Sequence, residues 1–70
     1  MGLRVENLRK LMETNYGNNY NEFSRQTGID VSLLYRILNG KGNAGIKTLN
    51  LLIAFLKKNN LKVTDYIFLP

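Results

Sequence analysis

The side chains able to do chemistry in this 70-residue chain are cations, amides and hydroxyls. It has no His and no Cys, so no thiolate or imidazole is present as nucleophile, base or metal ligand. The five carboxylates, Glu6, Glu13, Glu22, Asp30 and Asp65, are scattered, which leaves no pair spaced for acid–base work. Catalysis, a cofactor, a metal centre and a small-molecule substrate are therefore not expected. Binding is what remains. The net charge is +5, and its distribution is uneven. Residues 1–30 carry four charges of each sign, whereas residues 31–70 carry six positive charges against Asp65 alone. A basic sector of this kind concentrates a polyanion near one surface. Charge by itself does not separate DNA, RNA, anionic lipid and a merely solvated face.

Those cations need elements to position them. Apolar residues recur at three and four rather than alternating, and the only proline is the last residue, so an all-α chain is predicted. Val5, Leu8, Leu11 and Met12 mark one face of a first helix over 3–14, ahead of a turn at Tyr16-Gly17-Asn18-Asn19. Asn19 caps a second helix, with Glu22 three residues on as in a capping box. That helix ends at Gly28, and Asp30 caps a third, its carboxylate suiting the positive end of the helix dipole. The third helix runs from Val31 to about Asn39 and stops at Gly40. A basic loop follows, then a fourth helix over 46–58 that buries Ile46, Leu49, Leu52, Ile53 and Leu56, then a short fifth over 63–69. The expectation is a single domain over residues 1–70, a compact five-helix bundle. The longest apolar run, residues 51–56, is far below the roughly 20 residues that span a bilayer. The N-terminus has no apolar stretch of the signal-peptide kind, so a cytoplasmic protein without membrane contact is expected.

Function concentrates in residues 19–41. Two short helices joined only by Gly28, Ile29 and Asp30 must cross steeply, as in a helix-turn-helix. Ser24 supplies a small residue one turn before Gly28, Ile29 a plug for the corner, and Phe23, Leu34 and Ile37 the inner faces. The chain resembles the Cro/C1-type helix-turn-helix domains of phage repressors, five-helix domains of similar size. The resemblance rests on Asn19-Tyr20-Asn21-Glu22-Phe23-Ser24, Gly28-Ile29-Asp30 and Asn39-Gly40-Lys41, and extends over residues 8–67. More narrowly, the chain is similar to small Cro-like or modulator-of-repression proteins of temperate phages of Gram-positive bacteria.

The resemblance implies a third helix lying in the major groove of double-stranded DNA. Val31, Ser32, Tyr35 and Arg36 would then face base edges, with Leu33 at the margin. Arg36 suits guanine O6 and N7, Ser32 suits either base type, and Val31 suits a thymine methyl. Phosphates would meet the second helix's first amides with Asn19 and Tyr20, then Asn39, Lys41 and Asn43, with Lys47 extending that basic edge. The chain departs from the family pattern at three places. The reading helix shows Val31-Ser32-Leu33-Leu34-Tyr35 where Gln, Ser, Arg or Lys are common, Ser24 stands where Ala is usual, and Leu38 stands where Glu is usual. Leu38 adds apolar area beside Tyr35. An apolar reading helix equally suits a protein partner, so Val31, Leu33, Tyr35 and Arg36 also fit an antirepressor that engages a cognate repressor. The tail Tyr66-Ile67-Phe68-Leu69 either completes the core or forms a two-fold homodimer patch.

Overall fold

A computed structural model describes residues 2–68 of the chain. A two-residue strand β1 (Gly2–Leu3) leads into helices α1 (Val5–Tyr16), α2 (Tyr20–Thr27), α3 (Val31–Leu38) and α4 (Ile46–Lys58). A 3-10 turn (Val63–Asp65) and strand β2 (Ile67–Phe68) close the described chain. The caps act at the expected positions. The Asn19 side chain accepts the Glu22 amide at 3.1 Å, and Asp30 accepts the amides of Ser32 and Leu33 at 3.0 and 3.3 Å. Glu22 does not complete the reciprocal half of a capping box; it accepts instead from Arg25 and Gln26, one turn further along α2. The chain leaves α2 through Gly28 at φ +78°, a left-handed conformation that glycine adopts without the cost of a Cβ.

Four helices form among the described residues, not five, and the tail is the point of departure. The segment read as a fifth helix makes one turn and then pairs antiparallel with β1, Gly2 opposite Phe68 and Leu3 opposite Ile67. The start of the chain supplies the donors that a helix would have supplied to itself. The Arg4 amide donates to the Tyr66 carbonyl at 2.8 Å, Arg4 Nε to Thr64 at 3.1 Å, and Asn7 Nδ2 to Asp65 at 2.7 Å. These partners lie about sixty residues away in sequence, so no local pattern in the tail announces them. The first helix also starts later than read, at Val5, and runs on through Tyr16 to a left-handed Gly17.

The core is one cluster drawn from all four helices, Ile29 of the turn and Ile67 of β2. Phe23 sits at its centre, its ring 5.1 Å from Tyr16 and 5.5 Å, edge-on, from Phe55. Leu49, Leu52, Phe55 and Leu56 form the buried face of α4, while Ile53 is half-buried. Ile46 is not part of that face; it is 70% exposed. Helical side chains lean toward the N-terminus, so one on the first residue projects past the end of its own helix. Leu38, expected to enlarge an apolar surface beside Tyr35, is fully buried instead. It stands four residues after Leu34 and next to Ile37, and that spacing places it on the core face with them.

Candidate nucleic-acid interface

Helix α3 is two-sided. Leu34, Ile37 and Leu38 are buried, whereas Ser32, Tyr35 and Arg36 are exposed and Val31 is half-buried. With an 8-residue helix, one buried edge leaves one continuous outer edge, and Val31, Ser32, Tyr35 and Arg36 together line a shallow, mainly apolar recess there. Leu33 does not join them. It packs half-buried against the core and lines a separate groove with Gly28, Ile29, Asp30, Lys47, Thr48 and Leu51.

The turn holds α3 at a fixed angle to α2. Ile29 is 2% exposed, and the Ser24 hydroxyl donates to its carbonyl. The buried Thr27 hydroxyl donates to the Phe23 carbonyl at 2.9 Å and accepts the Ile29 amide at 3.3 Å. No buried side-chain nitrogen or oxygen among the described residues is left without a partner, those of this corner included.

The far end of α3 is equally well closed. Gly40, at φ +72°, donates its amide to the Ile37 carbonyl at 3.2 Å, and the Lys41 amide donates to Arg36 at 2.8 Å. This pair of bonds is the Schellman arrangement, and it accounts for Asn39-Gly40-Lys41 as a helix stop. The Leu38 carbonyl takes its donor from outside, the Arg9 guanidinium of α1. Sequence reasoning missed Arg9; its spacing among the residues of α1 marks it only as one cation on a helix.

Asn39 ties α3 back to α2. Its Nδ2 donates to the Tyr35 carbonyl at 2.8 Å and to the Tyr20 hydroxyl at 3.2 Å, and the Tyr20 and Tyr35 rings lie 5.3 Å apart. Tyr35 therefore leans on Tyr20 of α2 and not on α4. The surface runs from Tyr20 and Asn39 over Tyr35 to Arg36, with exposed Lys41 and Asn43 in the loop beyond. Asn19 is exposed at the start of α2, its carbonyl oxygen already engaged as the cap. Lys47 stands apart from Lys41. It lines the groove at the Asp30 end of α3, so it does not extend the basic edge beyond Asn43 but provides a cation at the opposite end of the helix.

Electrostatics sharpen which cations are available. Arg25 is spent on Glu22, whose carboxyl is held below its usual range by hydrogen bonds from Gln26 and Arg25 and by the guanidinium charge. Arg36, Lys41 and Lys47 form no ion pair among the described residues. Of the tail residues, Ile67 is fully buried, Tyr66 is half-buried, and Phe68 is 46% exposed with the Arg4 guanidinium 4.5 Å from its ring centroid. Leu69 lies outside the described residues. No group of three or more metal-ligating side chains occurs among the described residues, nor any helix long and apolar enough to cross a membrane.

Comparison with curated proteins and with solved structures gave no match. A family model described as helix-turn-helix matches residues 8–59, from the first buried leucine of α1 to the residue that ends α4. The match contains the whole α2–turn–α3 unit, and the chain belongs to the Cro/C1-type helix-turn-helix family of DNA-binding transcription regulators.

Proposed function

We propose that this chain is a small transcription regulator of a phage lysis–lysogeny switch, laying α3 in the major groove of its operator. The observation that carries the reading is the outer edge of α3. It joins an exposed Arg36 to Ser32 and Val31, with cations at both ends of the helix and a turn that fixes its angle. Arg36 reads a guanine through O6 and N7, and Ser32 accepts either base type. Tyr20, Asn19 and the first amides of α2 meet one phosphate run, and Asn39, Lys41 and Asn43 meet another. Lys47 meets the backbone near the Asp30 end. Tyr66 and Phe68 supply the exposed part of a patch for pairing two copies on a two-fold operator.

Salt titration of duplex binding tests this reading. Affinity falls with a log–log slope near −0.9 for each phosphate neutralised. Lys41→Ala weakens binding about equally on all sequences and makes the slope shallower by about one, whereas Arg36→Ala costs about 1–3 kcal/mol and relaxes preference at one base position. Binding that ignores both salt and sequence overturns the reading.

A second reading is favoured by the recess itself. Val31 and Tyr35 present apolar area around one cation, the composition of a protein-binding spot. In this reading the chain is an antirepressor that covers Val31, Tyr35 and Arg36 with a cognate repressor, with Leu33 contributing from its neighbouring groove. Mixing the chain with that repressor at micromolar concentration gives a complex that competes with operator DNA; two independent elution peaks would remove this reading.

A further inference from the structure

The outer edge of α3 carries fewer hydrogen-bonding groups than a base-reading helix ordinarily needs, and the shortage is itself specific. Of its four outward residues, Val31 offers only carbon, and Tyr35 offers a ring with a single hydroxyl at its tip. In the major groove, adenine, guanine and cytosine present donors and acceptors, and thymine alone adds an apolar group, its C5-methyl. An apolar recess pressed against any other base edge leaves polar atoms without partners, which is penalised. Pressed against thymine methyls, it removes apolar surface from water on both sides.

The geometry of the recess fits more than one methyl. Val31 and Tyr35 are four residues apart and share one helix face, about 6 Å along the axis. Successive base pairs rise about 3.4 Å and are also rotated about the duplex axis, which separates neighbouring groove-edge methyls by more than the rise alone. The two side chains therefore reach two adjacent base pairs. Tyr35 has an aromatic neighbour on one side. Its ring lies 5.3 Å from that of Tyr20, whose hydroxyl is in turn engaged by Asn39, which also bonds the Tyr35 carbonyl. That contact places an aromatic wall along one side of the recess. Ser32 and Arg36, also four apart, form the parallel polar row beside it.

We propose that α3 selects its operator by thymine methyl groups: Val31 and Tyr35 cover the C5-methyls of adjacent base pairs, and Arg36 reads a single G·C pair beside them. The proposal rests on the DNA-binding reading above and adds the chemical class of base step that the recess accepts.

Deoxyuridine tests it, because replacing thymidine by deoxyuridine deletes the methyl and leaves base pairing and every hydrogen-bonding group in place. Duplexes enriched by the protein from a random-sequence pool are resynthesised with deoxyuridine at one thymidine at a time, then at two. At the methyl-reading positions, each deletion weakens binding about threefold to fivefold, and two adjacent deletions weaken it about tenfold or more. Val31→Ala and Tyr35→Ala bring the thymidine-to-deoxyuridine affinity ratio close to one. Lys41→Ala lowers affinity for both duplexes and keeps the ratio. Equal binding of thymidine and deoxyuridine duplexes at every position, with sequence preference intact, overturns the methyl proposal alone. Failure of the pool to enrich any sequence overturns the proposal together with the DNA-binding reading beneath it.

Discussion

Phe23→Ala is expected to lower unfolding stability by about 3–5 kcal/mol, which is most of the roughly 4–10 kcal/mol that a domain of this size holds. Phe23 is fully buried. Truncation removes the largest fully buried side chain and leaves a cavity bounded by the Tyr16 and Phe55 rings, which stand 5.1 and 5.5 Å from it. Two aromatic pairings, each worth about 0.5–1.5 kcal/mol beyond their area, are lost with it. Neighbours cannot collapse freely into the gap, because α1, α2 and α4 meet there and α2 is pinned by its caps. Thermal unfolding followed by circular dichroism checks this, with a fall in midpoint of ~12 °C or more. A change below about 1 kcal/mol would mean that the ring is not the centre of the core. DNA binding should fall in parallel with the folded fraction and recover where ligand excess refolds the variant, unlike the loss from Arg36→Ala.

Much of this frame was legible in the residues. Asn19 and Asp30 are side chains that match free helix amides, and the structure uses both as caps. Gly28 and Gly40 stand where a left-handed residue is needed, and both adopt positive φ. The apolar spacing of Leu34 and Ile37 gives α3 its inner edge, and by subtraction its outer one, although Leu38, read onto the outer surface, is buried with them. These signals are local; each is complete within one or two helical turns.

What stayed hidden depends on partners distant in sequence. The tail residues 63–68 contain β-branched and aromatic side chains at spacings that a helix tolerates. Only the arrival of Gly2, Leu3 and Arg4 alongside them decides for a turn and a strand. Arg9 likewise gains its meaning from a carbonyl 29 residues away. In the candidate interface, Asn39 was legible as a polar residue past the reading helix, but not as the tie between Tyr20 and Tyr35. Lys47 shows the same limit. Its position after a flexible loop gives no indication of which end of α3 it returns to, and α4 packing carries it to the Asp30 end.

Ile67→Ala and Phe68→Ser divide the tail between two roles that its composition alone left open. Ile67 is fully buried in the same cluster as Leu8, Leu52 and Leu56, although the strand that carries it is only two residues long. Its truncation is expected to cost about 2–5 kcal/mol, through lost burial plus the cavity left behind. The loss is internal to one chain, so the unfolding midpoint of Ile67→Ala shifts by the same amount at every protein concentration. Phe68 differs. About half of its surface is exposed, and its ring rests on Gly2 and beneath the Arg4 guanidinium, contacts worth about 1 kcal/mol together. Phe68→Ser therefore leaves a dilute sample nearly as stable as the parent. If Phe68 and Tyr66 pair two copies, the same variant loses the rise in midpoint that the parent shows as concentration increases, since association stabilises by mass action. Denaturant titrations of both variants over a hundredfold range of concentration separate these effects. A concentration-dependent loss for Ile67→Ala would place that residue at a subunit contact and overturn its assignment to the core. A parent midpoint independent of concentration would remove the two-fold patch and leave operator symmetry to be met by DNA-induced pairing alone.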